Sequence, residues 1–243
     1  MQNIALSIVL LYLALTLTCF VSYWLAGMTP FDAFAHALTT IATGGFSTYD
    51  LSIGFFRDPV IEWVAICFML LASLPFLVLL QFQLGRPWGL LRDVQVRLFL
   101  TLVVIFVLLA WVAQKEPGSW PGAAEFQDAA FNVVSIITGT GYATSGFDAW
   151  GSFAAVLFLT IMFIGGCAGS TSCGIKVFRF FVIYETLKAR VVKFTQPNRV
   201  VVSRFNGKPM TPEVGRAVMN FLFIYFFSFA VIASLLSSFQ AID

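Results

Sequence analysis

Five apolar runs, each close to the length that crosses a bilayer, leave this 243-residue chain few ways to fold. They are Ile4 to Leu25, Val60 to Leu80, Leu98 to Ala113, Phe153 to Gly166 and Ala217 to Leu236, the fourth continuing through a Gly-rich break toward Val192. About 20 apolar helical residues cover roughly 30 Å of hydrocarbon. Charged residues make up 11% and hydrophobic residues 59% of the chain, with a mean hydropathy of +0.90. A soluble domain carries about 25% charged residues, so a water-soluble fold is excluded. No positive charge precedes the first run, and that run is longer than the roughly 7 to 15 residues of a signal-peptide core. It reads as a retained span.

The spans give every charge a side. Arg86, Arg92, Arg97, Lys176, Arg179, Lys188, Arg190, Lys193, Arg199, Arg204, Lys208 and Arg216 fall on one face and only Arg57 and Lys115 on the other. Positive charge is retained in the cytoplasm, so the N-terminus and the basic loops are expected inside. Asp32, Asp50, Asp58, Glu62, Glu116, Glu125, Asp128, Asp148 and Asp243 are then external, with Asp93, Glu185 and Glu213 internal. A mildly acidic outer surface suits cations. Cys19, Cys67, Cys167 and Cys173 sit in or beside apolar runs without a CxxC pair, where cysteine behaves as a small hydrophobe. No disulfide or transition-metal site is expected. The single histidine, His36, reads as a packed residue on a short helix.

The segment from Thr29 to Asp58 is too long for a tight turn, and its first half is too apolar for a solvated loop. Thr29 suits an N-cap, Pro30 the first helical position and Asp32 the first turn. A short helix from Pro30 to about Thr40 is predicted, ending in Ile41-Ala42-Thr43-Gly44-Gly45-Phe46-Ser47-Thr48. At membrane depth irregular backbone survives only when buried in protein or lining a wet cavity, so a re-entrant pore segment is expected. The layout returns as a short helix from Ala123 to Ile137 followed by Thr138-Gly139-Thr140-Gly141-Tyr142-Ala143-Thr144. At an offset of 96, Asp32 matches Asp128, Ile41 matches Ile137, Gly45 matches Gly141 and Thr48 matches Thr144, with Phe46 opposite Tyr142. At 97, Phe34 matches Phe131, Thr43 matches Thr140 and Gly44 matches Gly141. Sequence leaves the register open between the two.

Potassium channels dehydrate their ion with rings of backbone carbonyls from glycine-rich strands. Two strands of that composition, each after a short helix on the outer side, point to main-chain ligands from Ala42, Thr43, Gly44 and Gly45 and from Thr138, Gly139, Thr140, Gly141 and Tyr142. Two amphipathic surface hairpins are the alternative. A third feature, Gly165-Gly166-Cys167-Ala168-Gly169-Ser170-Thr171-Ser172-Cys173-Gly174, places four glycines in ten residues of the fourth crossing. Glycine disfavours helix by about 1 kcal/mol relative to alanine, so the tract is expected to unwind and to close a pore as a loop. The alternative is close helix packing through Gly165 and Gly169. The connection from Lys188 to Arg216, with Gln196-Pro197-Asn198 and Asn206-Gly207-Lys208-Pro209, suits either a partner-binding segment or a solvated basic loop.

The two strand motifs and the glycine tract, followed by Gly174-Ile175-Lys176, resemble the Trk/Ktr/HKT superfamily of potassium transporters, most closely its TrkH branch. The likeness spans nearly the whole chain. It implies an all-α polytopic membrane protein of repeated helix, pore-loop, helix units, with about five spans and two re-entrant pore helices here. Residues 1–95 form one unit, 96–195 a second with the broken gating helix, and 196–243 a loop and the first helix of a further unit. The remaining repeats of the same transporter are implied, since a complete member has four filter strands and this chain holds two. Glycine rather than serine at the filter positions implies potassium, with gating by Gly165, Gly166, Gly169, Ser170, Thr171, Ser172, Gly174 and Lys176. Cys173 stands where the family usually has glycine. Also implied are a homodimer and a cytosolic nucleotide-binding regulatory ring protein. K⁺ is the cargo in this reading, with no cofactor and no nucleic-acid partner. The competing class is an intramembrane serine hydrolase using Ser170 or Ser172 with His36 as base, groups that the spans place far apart.

Overall fold

The computed structural model describes residues 2–83, 88–114, 120–146, 150–196 and 203–240. Arg86, Lys115, Glu116, Asp148, Pro197, Asn198, Arg199 and Asp243, used above for charge and turns, lie outside these. Two compact units divide the chain, Met1–Val177 and Phe178–Asp243.

The first unit opens with α1 (Gln2–Leu25) and the short α2 (Pro30–Ile41). α2 starts where the residue chemistry predicts, since the Thr29 hydroxyl accepts from Asp32 N and donates to the Asp32 carboxylate at 2.7 Å. A single 3₁₀ turn over Ser52–Phe55 leads to α3 (Pro59–Ala72), which is capped by Asp58. Next come α4 (Phe76–Gln83), α5 (Trp88–Arg92), α6 (Val94–Ala113), α7 (Ala123–Thr138) and α8 (Ser152–Ile161). α2 lies against α1, while α7 is held between α3 and α6. The core between them is apolar and fully buried at Ala33, Ala37, Ile41, Met69, Phe99, Ala129 and Phe131.

Among the described residues, α1, α6 and α10 (Pro212–Gln240) are long and apolar enough to cross a membrane by themselves. Two runs differ from the straight spans expected. Val60 to Leu80 is broken, with α3 and α4 meeting at 103°. Pro75 supplies no amide hydrogen and its ring clashes with the turn before it, so the helix stops at Ala72. The run from Phe153 is helical only to Ile161, after which the chain enters β1 (Ile164–Gly165) and the glycine tract. β2 (Ile175–Lys176) closes that tract, pairing in parallel with β1 through Ile164 opposite Ile175 and Gly165 opposite Lys176. Gly165 and Gly169 therefore lie on no common helix.

The second unit contains the body of α9 (Val177–Thr195), a hairpin of β3 (Arg204–Phe205) and β4 (Lys208–Pro209), and α10. Asn206 and Gly207 turn the hairpin with φ of 47° and 80°, the left-handed pair that a two-residue hairpin needs. Only 6% of the apolar window of α10 is buried. Phe223, Ile224, Phe227 and Ile232 stand exposed along it, a surface suited to lipid or to further transmembrane helices.

Candidate ion-conducting site

The two short helices and the strands after them repeat the same hydrogen bonds and left-handed positions at the offset of 96. The Thr43 amide bonds Thr40 O and the Gly44 amide Thr39 O, while the Gly139 amide bonds Ile136 O and the Thr140 amide Ser135 O. Thr39 Oγ1 donates to Phe46 O at 2.8 Å and Ser135 Oγ to Tyr142 O at 2.6 Å. His36 Nδ1 and Asn132 Nδ2 each bond the carbonyl four residues back, on Asp32 and Asp128. Thr48 and Thr144 hydroxyls return to the same two aspartates. Positive φ falls at Thr43 (51°) and Gly45 (68°), and at Gly139 (75°) and Gly141 (85°). Left-handed residues two apart, separated by one right-handed or extended residue, turn successive carbonyls as a glycine-rich filter strand requires.

Side-chain burial alternates along the second strand. Thr140 and Tyr142 are buried, whereas Gly139 and Gly141 are exposed. The two strands lie against each other, so that a Cβ built on Gly45 would stand 1.9 Å from Thr140 O. Tyr142 crosses to the other pore helix, where its hydroxyl meets Thr39 Oγ1 at 2.6 Å, Thr40 Oγ1 at 3.1 Å and His36 O at 3.1 Å. Its counterpart Phe46 is 77% exposed. Tyr142→Phe leaves these buried groups short of a partner and is expected to cost about 1–3 kcal/mol, lowering Tm by roughly 3–9 °C in detergent thermal unfolding.

His36 is the packed residue expected, with Asp32 O and Ser47 Oγ on its two ring nitrogens. Burial pushes the Asp32 carboxyl up, but hydroxyl donors from Thr29, Thr48 and Tyr49 outweigh it and leave the group below the usual carboxylate range. Burial raises its counterpart Asp128 above that range, a shift that the hydrogen bond from Thr144 opposes and repulsion from Glu125 reinforces. Asp128, Glu62 and Arg57 stand on the wall of a cavity of about 450 Å³ beside Thr144 at the end of the second strand.

The glycine tract lies directly against both strands and against the helix break. Thr171 Oγ1 reaches Ile41 O at 2.9 Å and Ala72 O at 3.1 Å, and Thr171 O accepts from Thr43 Oγ1 at 3.0 Å. Ser172 Oγ donates to Thr138 O and accepts from Gly166 N, both at 2.7 Å. The Cys167 amide bonds Ser73 O, the Thr171 amide Ala72 O and the Phe76 amide Gly169 O. Ala168 N bonds Gln95 Oε1 at 2.9 Å, and Lys176 Nζ bonds Ser170 O at 3.0 Å. These partners meet the requirement that non-helical backbone in a bilayer be satisfied by protein. Cys173 is exposed, with its Cβ against the backbone of Gly139. The Ser170 hydroxyl is spent on Cys167 O, so neither serine is brought to His36 and the hydrolase alternative finds no support.

Sequence reading missed three contributors: the hydroxyls of Thr39 and Ser135 that hold the strand carbonyls, the broken end of α3 at Ala72 and Ser73, and Gln95. The first pair carried a signal, two hydroxyl residues 96 apart, and Pro75 marked the break. Gln95 carried none.

The family model described as TrkH, cation transport protein, matches residues 1–242. The Trk system potassium uptake protein TrkI of Halomonas elongata is 39% identical over 232 residues, covering 95% of this chain and 47% of TrkI. The TrkH proteins of Vibrio parahaemolyticus and Escherichia coli K12 are 36% and 34% identical, each over 91% of this chain and 46% of the relative. The crystal structure of the potassium transporter TrkH from Vibrio parahaemolyticus matches with a TM-score of 0.87 at 35% identity, over 95% of this chain and 50% of that one. The chain thus spans about half the length of the relatives it matches. On the match across nearly its whole length, this chain is a membrane protein of the TrkH family of cation transport proteins.

Proposed function

We propose that this chain supplies two filter strands of a potassium uptake pore and the intramembrane loop that gates it. The observation that carries the reading is the pair of strands with matching left-handed residues at 43 and 45 and at 139 and 141, side by side above one glycine tract. Carbonyls of residues 42–45 and 138–142 replace the water around K⁺. The loop from Gly165 to Gly174, anchored by Lys176, opens and closes the path beneath them. Further repeats of the same transporter complete the ring, and Phe46 packs on the pore helix of one of them as Tyr142 packs on α2. Residues 1–95, 96–195 and 196–243 act as successive repeat units. The basic loops and the N-terminus face the cytoplasm, the filter faces outward, and a homodimer engages a cytosolic nucleotide-binding ring. An inside-negative potential favours uptake by about 2.3 kcal/mol per charge per 100 mV.

Two experiments test this. Growth at low external potassium in a transport-deficient bacterium is expected with a chain extended to all four units and not with the present chain alone. Failure of both despite verified insertion would remove the potassium assignment. Gly141→Ser probes the filter more directly, because a Cβ there meets nothing within 4 Å. Sodium permeation relative to potassium is expected to rise by about tenfold, a shift of roughly 1.4 kcal/mol. Unchanged selectivity with normal expression would refute the filter assignment.

A further inference from the structure

In the second unit, α9, Ser203, Met210 and Thr211 on either side of the hairpin, and the start of α10 line an open cavity of about 500 Å³. Arg190 and Lys193 of α9 and Arg216 of α10 stand on its wall with the hydroxyl residues Thr186, Ser203 and Thr211. Thr186, Arg190 and Lys193 share one helix face by their four- and three-residue spacing. Gly215 admits the approach of α10, since a Cβ there would lie 3.0 Å from Thr186 Oγ1. Among the described residues none of the three cations is in an ion pair, and no carboxylate lines the cavity; Glu185 is 3.8 Å from Lys188. The Thr186 hydroxyl donates to Val182 O at 2.7 Å and Ser203 Oγ reaches Glu185 O only at 3.5 Å, so three cations with the Ser203 and Thr211 hydroxyls form the chemistry that recognises phosphate. The position also favours a membrane ligand, because the apolar span of α10 starts at Glu213 and Leu187, Val191 and Phe194 of α9 are exposed.

We propose that this cavity binds the phosphate of an anionic ligand, either a phospholipid headgroup of the cytoplasmic leaflet or free phosphate. The site does not depend on the potassium reading. The purified full chain in detergent, titrated with phosphatidylglycerol, phosphatidylcholine or inorganic phosphate and followed by native mass spectrometry, tests it. Arg190→Gln with Arg216→Gln is compared with Arg204→Gln with Lys188→Gln, which removes the same charge outside the cavity. The cavity pair is expected to weaken phosphatidylglycerol binding about 30-fold and the outside pair less than about twofold. Ser203→Ala with Thr211→Val, which leaves the charge unchanged, is expected to weaken it about fivefold and serves if the arginine pair fails to fold. Loss of phosphate binding in the cavity variants, with phosphatidylglycerol no better than phosphatidylcholine, identifies the soluble source. Equal effects inside and outside the cavity, or no binding of either anionic probe, overturn the proposal.

Discussion

Gly45→Ala is expected to abolish potassium uptake by the complete transporter. The added methyl would stand 1.9 Å from Thr140 O and 2.8 Å from Thr140 C, on a backbone already at φ +68°. Relief by a small shift is blocked on both sides. The Gly44 amide holds its own strand to Thr39 O, and the Thr140 and Gly141 amides hold the neighbouring strand to Ser135 O. A clash of this kind costs more than about 3 kcal/mol, which corresponds to at least roughly 100-fold in rate. Gly141→Ala is the internal control, since its Cβ is unopposed and only the left-handed strain of about 1–2 kcal/mol remains. Rubidium uptake in a transport-deficient host, normalised to protein in the membrane fraction, measures both. Wild-type uptake by Gly45→Ala would mean that the strands do not abut.

Thr171→Val is expected to have the opposite sign and to raise basal flux. Valine keeps the volume and removes the hydroxyl that reaches Ile41 O and Ala72 O, so Ile41 O loses this donor while Ala72 O keeps the Thr171 amide. The main-chain contacts, Thr171 N to Ala72 O and Thr43 Oγ1 to Thr171 O, survive the substitution. Loss of such a bond costs about 1–3 kcal/mol, so in the proposed gating role the closed loop would give way to open states by roughly tenfold or more. Ser170→Ala removes a hydroxyl that bonds only Cys167 within the tract and is expected to change flux much less. Indistinguishable leak from the two variants would remove Thr171 as the latch.

Helix-forming stretches were legible because bilayer length and N-cap chemistry are local. Thr29, Pro30 and Asp32 marked the start of α2, and the glycine tract announced its own departure from helix. The repeat was visible, but its register was not, because a slip of one residue trades one set of Gly and Thr matches for another. Hydrogen bonds decided it: Thr39 with Phe46 O and Ser135 with Tyr142 O have the same role only at 96. The bend after Ala72 was readable in Pro75 and was outweighed by the length of the apolar run around it.

The membrane-spanning character, the doubled motif of short helix and glycine-rich strand, and the departure of the glycine tract from helix followed from the sequence alone, since each rests on composition or on spacing within a few turns. Which surfaces meet was decided only in three dimensions. Thr171 is 130 residues from Ile41 and 128 from Thr43, and Tyr142 is 103 from Thr39. Contacts at such separations depend on how helices pack and on which backbone groups remain unbonded after each helix ends, and no local pattern encodes either.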